Sequence, residues 1–149
     1  GTLAGFRVAI ELRNRKFVEE KQREVTLAFL RRHAAAVVSV DAPVEKHFTS
    51  MPPDSNEVTN PKLAYLRLHG RDARAYTTGK TVATRFNYNY NDAEIDEVAQ
   101  RARHLAGKAS EVHVVFNNNA LDYAPHAALR MRAALGQMIA PVPRQTELF

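Results

Sequence analysis

The segment Leu63-Ala64-Tyr65-Leu66-Arg67-Leu68-His69-Gly70 (63–70) decides how the chain is read. Side chains at i and i+2 of a strand share a face. Leu66 and Leu68 therefore fall on one side, and Tyr65, Arg67 and His69 on the other. One side suits an apolar layer. The other ends in a basic and a titratable group, followed by Gly70 and Arg71.

Three further runs look like this one: 6–12 (FRVAIEL), 35–41 (AAVVSVD) and 111–118 (EVHVVFNN). Split by phase, Val8, Ile10, Leu12, Val38, Val40, Val112, Val114 and Phe116 extend the aliphatic side. Glu11, Arg13, Ser39, Asp41, His113 and Asn117 extend the polar one. Helical patterns lie between the runs. Residues 19–33 place Val25, Ala28 and Phe29 on one stripe. Residues 92–106 place Ile95, Val98, Ala99, Ala102, Leu105 and Ala106 at helical spacing, behind an Asn91/Glu94 capping box. A last helix, about 124–138, has Pro125 in its first turn and Ala128, Met131, Leu135 and Met138 on one face. Strands alternating with helices predict an α/β fold with a parallel sheet. The connections 42–62 and 71–91 are long, as functional connections tend to be.

A doubly wound sheet is covered on both faces and needs both phases apolar. Here one phase is polar, which favours a TIM-type (β/α)8 barrel: helices outside, polar side chains within. Four βα units are half of such a barrel, and the chain begins with Gly. The expectation is a half-barrel over 1–140, completed by a missing N-terminal half or a second chain, with a flexible tail at 141–149. Charges inside it, such as Glu11 and Arg67, would have to pair.

Composition narrows the class. The 149 residues include 21 Lys+Arg against 16 Asp+Glu, a net charge of +5, and no Cys. That excludes disulfides, thiol catalysis and Cys-ligated zinc. No apolar run is long enough to cross a membrane and no secretory leader is present, so a cytoplasmic location is expected. The positive balance permits an anionic partner without demanding one.

Specific runs carry a family likeness: Val8-Ala9-Ile10-Glu11-Leu12-Arg13-Asn14, Val40-Asp41-Ala42-Pro43, Tyr65-Leu66-Arg67-Leu68-His69-Gly70-Arg71, Asn87-Tyr88-Asn89-Tyr90 and Phe116-Asn117-Asn118-Asn119. Together they resemble the YecE-like family, domain of unknown function 72, over essentially the whole chain. The resemblance implies a TIM-type barrel of roughly twice this length, of which this sequence matches the C-terminal half. It implies no assigned activity. The likeness of that barrel to endonuclease IV and the xylose isomerases is one of fold alone.

TIM-barrel sites sit at the C-terminal strand ends. Here those ends carry Glu11/Arg13/Asn14, Asp41, His69/Arg71 and Asn117/Asn118/Asn119. Glu11, Asp41 and His69 are the acid–base candidates. Arg13, Arg67 and Arg71 can present donor forks to phosphate, and Asn117 and Asn118 add amides before a helix N-terminus. The plainer alternative for the deeper charges is a pairing such as Glu11 with Arg67. No cofactor is expected. A divalent metal is disfavoured, because ligand spacing is absent and two Arg in the same layer would repel it.

Arg71, Arg74, Lys80 and Arg85 against Asp72 make 71–91 basic, with Tyr76, Phe86, Tyr88 and Tyr90 interleaved. That pattern suits a nucleic-acid strand, DNA above all, through phosphate contact and stacking on rings such as Tyr88. An aromatic cover over the mouth fits equally well. The last residues, Gln145, Leu148 and Phe149, resemble the peptide by which bacterial replication and repair proteins dock on the sliding clamp. The expected function is thus a barrel binding a phosphate-bearing ligand, with phosphodiester hydrolysis in DNA maintenance as its chemistry. The alternatives are an enzyme acting on a sugar or anionic metabolite, and a non-catalytic adaptor.

Overall fold

The computed structural model describes residues 5–43, 56–118 and 120–138. They form β1 (Ala9–Ile10), a 3-10 turn (Arg15–Val18), α1 (Glu20–Arg32), β2 (Ala36–Asp41), β3 (Ala64–Leu68), α2 (Ala73–Thr78), α3 (Val82–Arg85), α4 (Asp92–Ala106), β4 (Val112–Phe116) and α5 (Tyr123–Ala134). The four strands make one parallel sheet in the order β1-β2-β3-β4. Parallel neighbours require crossovers, and α1 and α4 lie in two of them.

Register fixes which side chains share a face. Ser39 stands opposite Leu66, Val38 opposite Tyr65, and Leu66 opposite Val114. One face thus carries Ile10, Val37, Ser39, Asp41, Leu66, Leu68, Val114 and Phe116, and it meets the helices. Leu66, Leu68, Val98, Ala102, Leu105 and Met131 form the largest apolar cluster. Leu27 and Leu30 of α1 pack on Val37 and Ile10. The opposite face is open over β3 and β4. Above β1 and β2 it carries Val18, Val38, Val40 and Ala42.

This register corrects two readings. In β2 the phases are exchanged: Val38 and Val40 lie on the open face with Arg67, and Ser39 and Asp41 lie under the helices. All six β2 residues are buried, so a strand packed on both sides gave alternation nothing to report. In α1 the buried stripe is Leu27 and Leu30. Val25 and Phe29 are exposed, and Phe29 lies against the His33 ring with centroids 4.5 Å apart. Their spacing was helical, but it marked the outward face.

The capped helix forms as expected. Asn91 accepts from the Glu94 N–H and Glu94 accepts in return, a reciprocal cap. Ile95, Val98, Ala99, Ala102 and Leu105 are buried, while Ala106 is exposed. The last helix stops at Ala134. It buries Ala127 and Met131, leaving Met138 exposed. The connection 71–91 contains α2 and α3, both started by side-chain caps, Asp72 and Thr81. Neither buries a residue.

Candidate active site at the strand ends

The C-terminal ends of β1, β3 and β4 bring Glu11, Arg67, His69 and Asn117 together on the open face. Arg67 Nη1 donates to Glu11 Oε2 at 2.5 Å, and Nη2 donates to Asn117 Oδ1 at 2.8 Å. An Arg can only donate. Its bond therefore fixes the Asn117 amide, whose Nδ2 donates to His69 Nδ1 at 3.1 Å. His69 Nδ1 is then the acceptor, and Nε2 carries the proton towards Glu11 Oε1 at 3.3 Å. The tautomer follows from the chain of donors. Arg13 Nη1 lies 3.2 Å from Glu11 Oε1 and is largely exposed.

Burial pushes the Glu11 carboxyl up, but hydrogen bonds from His69 and Arg67, with Arg13 nearby, outweigh it and hold it at about 2. Glu11 is thus a carboxylate at any ordinary pH. His69 is only 1 % exposed. Phe86, following α3, covers it with ring centroids 5.3 Å apart, and Tyr76 of α2 meets Phe86 edge-on at 6.0 Å. Beside this group is an open recess of about 270 Å³, lined by Ala9, Glu11, Val38, Tyr65, Arg67 and Val115.

Asp41 does not join this cluster. Its side chain points under α4, where it accepts from Arg71 Nε at 3.0 Å, Arg71 Nη2 at 2.9 Å, Arg101 Nη1 at 2.8 Å and Tyr90 Oη at 2.8 Å. Arg71 also donates to Glu97 at 2.8 Å. Its guanidinium is on the helix side because Gly70, at φ +92°, breaks the strand alternation just before it. A Cβ at Gly70 would stand 2.4 Å from Tyr88 Cβ, so the strap that follows α3 requires glycine there. Burial, then the Asp41 charge, raises the Tyr90 phenol well above its ordinary value.

The remaining expected residues divide. Tyr88 turns its hydroxyl to Glu94, and its ring meets Tyr90 edge-on at 4.9 Å. Burial and that hydrogen bond raise its phenol to about 12. Asn118 is fully buried and donates to the Tyr88 carbonyl at 2.7 Å. His113 is exposed, pairs with Glu111 at 2.5 Å and lies against Tyr65. Gln145, Leu148, Phe149 and Asn119 lie outside the described residues. Among the described residues, no three His, Asp or Glu side chains form a metal-binding group. No described helix is long and apolar enough to cross a membrane.

Tyr90, which the sequence offers only as one of the interleaved aromatics, and Arg101, which it does not single out, are also members of the Asp41 node. Tyr90 had a signal. It precedes the Asn91 cap and shares the core cluster with Ile95, the arrangement of a hydrophobic staple. Arg101 stood out by nothing in its neighbourhood.

Arg74, Lys80 and Arg85 are exposed on α2, α3 and their junction. Among the described residues none has a carboxylate partner. Arg85 donates to the Gly79 carbonyl at 2.7 Å.

Comparison with known proteins is consistent throughout the chain. Residues 2–147 match the family described as "Protein of unknown function DUF72". UPF0759 protein YunF of Bacillus subtilis (strain 168) is 27% identical over 146 residues, covering 95% of this chain and 51% of that protein. A DUF72 family protein from Enterococcus faecalis V583 superposes with a TM-score of 0.86 at 30% identity, over 97% of this chain and 53% of that one. One from Thermotoga maritima MSB8 gives 0.76 at 26%, over 89% and 47%. The chain spans about half the length of these relatives.

Proposed function

The chain belongs to the DUF72 family, and from that premise we propose that it is the C-terminal half of a TIM-type barrel whose mouth binds a phosphate-bearing ligand, nucleic acid by preference. A parallel sheet with its long helices on one face, and a length half that of its relatives, support the barrel half of this reading. The observation that carries the ligand is the set Arg74, Lys80 and Arg85. These cations lie on the segment that covers His69, and they are exposed without carboxylate partners among the described residues. Arg67 and Arg71, by contrast, are held by Glu11 and Asp41 and are poor candidates for a first phosphate contact. Arg13 is the rim arginine with donors to spare.

In this reading His69 is the acid–base group. Glu11 orients it through Nε2, and the Nδ1 lone pair, met by the Asn117 amide, is the base for which an incoming hydroxyl or water competes. Water is the nucleophile in this reading: the chain holds no Cys, and the side-chain partners of His69 among the described residues are Glu11 and Asn117, with no Ser hydroxyl on its ring.

The test is binding of a labelled single-stranded oligonucleotide by fluorescence anisotropy, from about 50 to about 200 mM salt. Affinity should fall as salt rises. Replacing Arg74, Lys80 and Arg85 together by Ala should flatten the log–log slope by about 2. Absence of salt-dependent binding would overturn the nucleic-acid reading. A second reading, a small anionic metabolite, is favoured by the burial of His69 beneath Phe86 and by the modest size, about 270 Å³, of the recess beside Glu11 and Arg67. It predicts that binding of a phosphorylated small molecule survives the triple substitution.

A further inference from the structure

Three successive residues after β3 are tied to one aspartate on the neighbouring strand. His69 donates its backbone N–H to the Asp41 carbonyl at 2.8 Å. Gly70 donates its N–H to Tyr90 Oη at 2.9 Å, and Tyr90 Oη donates to Asp41 Oδ2 at 2.8 Å. Arg71 grips both oxygens of the same carboxylate. The Asp41 side chain is 3% exposed and on the face opposite Glu11 and Arg67, so a ligand at the mouth does not reach it.

We propose that Asp41, acting with Tyr90 and Arg71, is a positioning residue that sets the ring of His69. The physical reason is leverage. His69 stands one residue past the end of β3, where the bond from its N–H to the Asp41 carbonyl ties its backbone to β2, and Gly70 beyond it is in a left-handed conformation. Left alone, such a turn has several conformations to choose from. The Asp41 bonds hold the backbone at His69, at Gly70 and, through the side chain, at Arg71. The ring direction follows, and with it the alignment of Nδ1 on Asn117 and Nε2 on Glu11. Buried networks of satisfied charges select a single arrangement more than they add stability.

This inference rests on the reading of His69 as the working group, but its test needs no ligand, so the two can fail separately. The experiment is nitrogen NMR of the His69 imidazole in the whole protein, at a pH where the ring is neutral. The wild type should show the Nε2–H tautomer. Tyr90→Phe and Asp41→Asn should each lower the Nε2–H to Nδ1–H ratio by at least about fivefold. Leu105→Ala provides the comparison, because Leu105 is fully buried at the far end of α4. It should lower the melting temperature and leave the His69 signals in place. Unchanged signals in folded Tyr90→Phe and Asp41→Asn would overturn the proposal. So would an equal change in Leu105→Ala. Failure of both node variants to fold would also overturn it, by making the node a stability element and nothing more.

Discussion

Glu11 and Asp41 are two carboxylates at the ends of adjacent parallel strands, each gripped by arginine, and the sheet separates them. Glu11 faces the open side, where Arg67, His69 and Arg13 surround it and part of the cluster is exposed. Asp41 faces the helix side, where Arg71, Arg101 and Tyr90 enclose it. Composition does not distinguish them, since both are acids beside arginines at a strand end. The pleat does. One carboxylate lies on the open face, and the other is enclosed beneath the helices, where it holds the turn that follows His69.

The contrast breaks most visibly under truncation. Asp41→Ala leaves Arg71 and Arg101 without their shared partner and should cost about 3–5 kcal/mol in urea unfolding. Glu11→Ala, whose arginines are nearer water, should cost only about 1–2 kcal/mol. Equal losses would erase the distinction. The link between the two sides is Gly70, and Gly70→Ala forces a Cβ into Tyr88 at positive φ. It should cost at least about 2 kcal/mol, measured the same way.

Acid sharpens the comparison further. Glu11 is held at about 2 in the folded chain, below its ordinary value of 4.5. Its carboxylate bonds therefore add stability that is fully present above pH 4.5 and is lost as pH falls towards 2. Glu11→Gln should flatten the stability profile in that window and leave it unchanged near neutrality in shape. A profile that keeps the wild-type slope would assign acid sensitivity to other groups. The smallest expected effect is Ser39→Ala. Ser39 Oγ is buried beneath the helices with no hydrogen-bond partner among the described residues. Its removal should change stability by no more than about 0.5 kcal/mol, in the favourable direction. A large loss would mean that β2 turns its other face to the helices.

Much of this was legible in the residues. The four strands, their parallel order and the α4 cap followed from alternation and helical spacing, because β3 and α4 each have one apolar side. Glu11, Arg67, His69 and Asn117 were readable as one cluster for the same reason. β2 was not, since burial on both faces removes the contrast that alternation depends on. That one strand carried Asp41 to the wrong side in the reading. Arg71 followed it, because Gly70 cancels the parity that counting by twos assumes. The α1 stripe failed differently. Val25 and Phe29 satisfy the spacing but point outward, and spacing alone cannot say which of two apolar stripes meets the sheet. The segments α2 and α3 are too short for a periodic signal; only their caps, Asp72 and Thr81, announce them.

That α2 and α3 bury nothing has a consequence for how such a protein can diversify. Their helices are started by local caps and contribute no core residue, so the exposed positions of this stretch, Arg74, Lys80, Val82 and Arg85 among them, are free to change without disturbing the sheet, while Arg71 and Phe86 stay tied to Asp41 and His69. On the proposed function, exchanging these exposed positions between DUF72 relatives should carry ligand preference with it and leave folding unchanged.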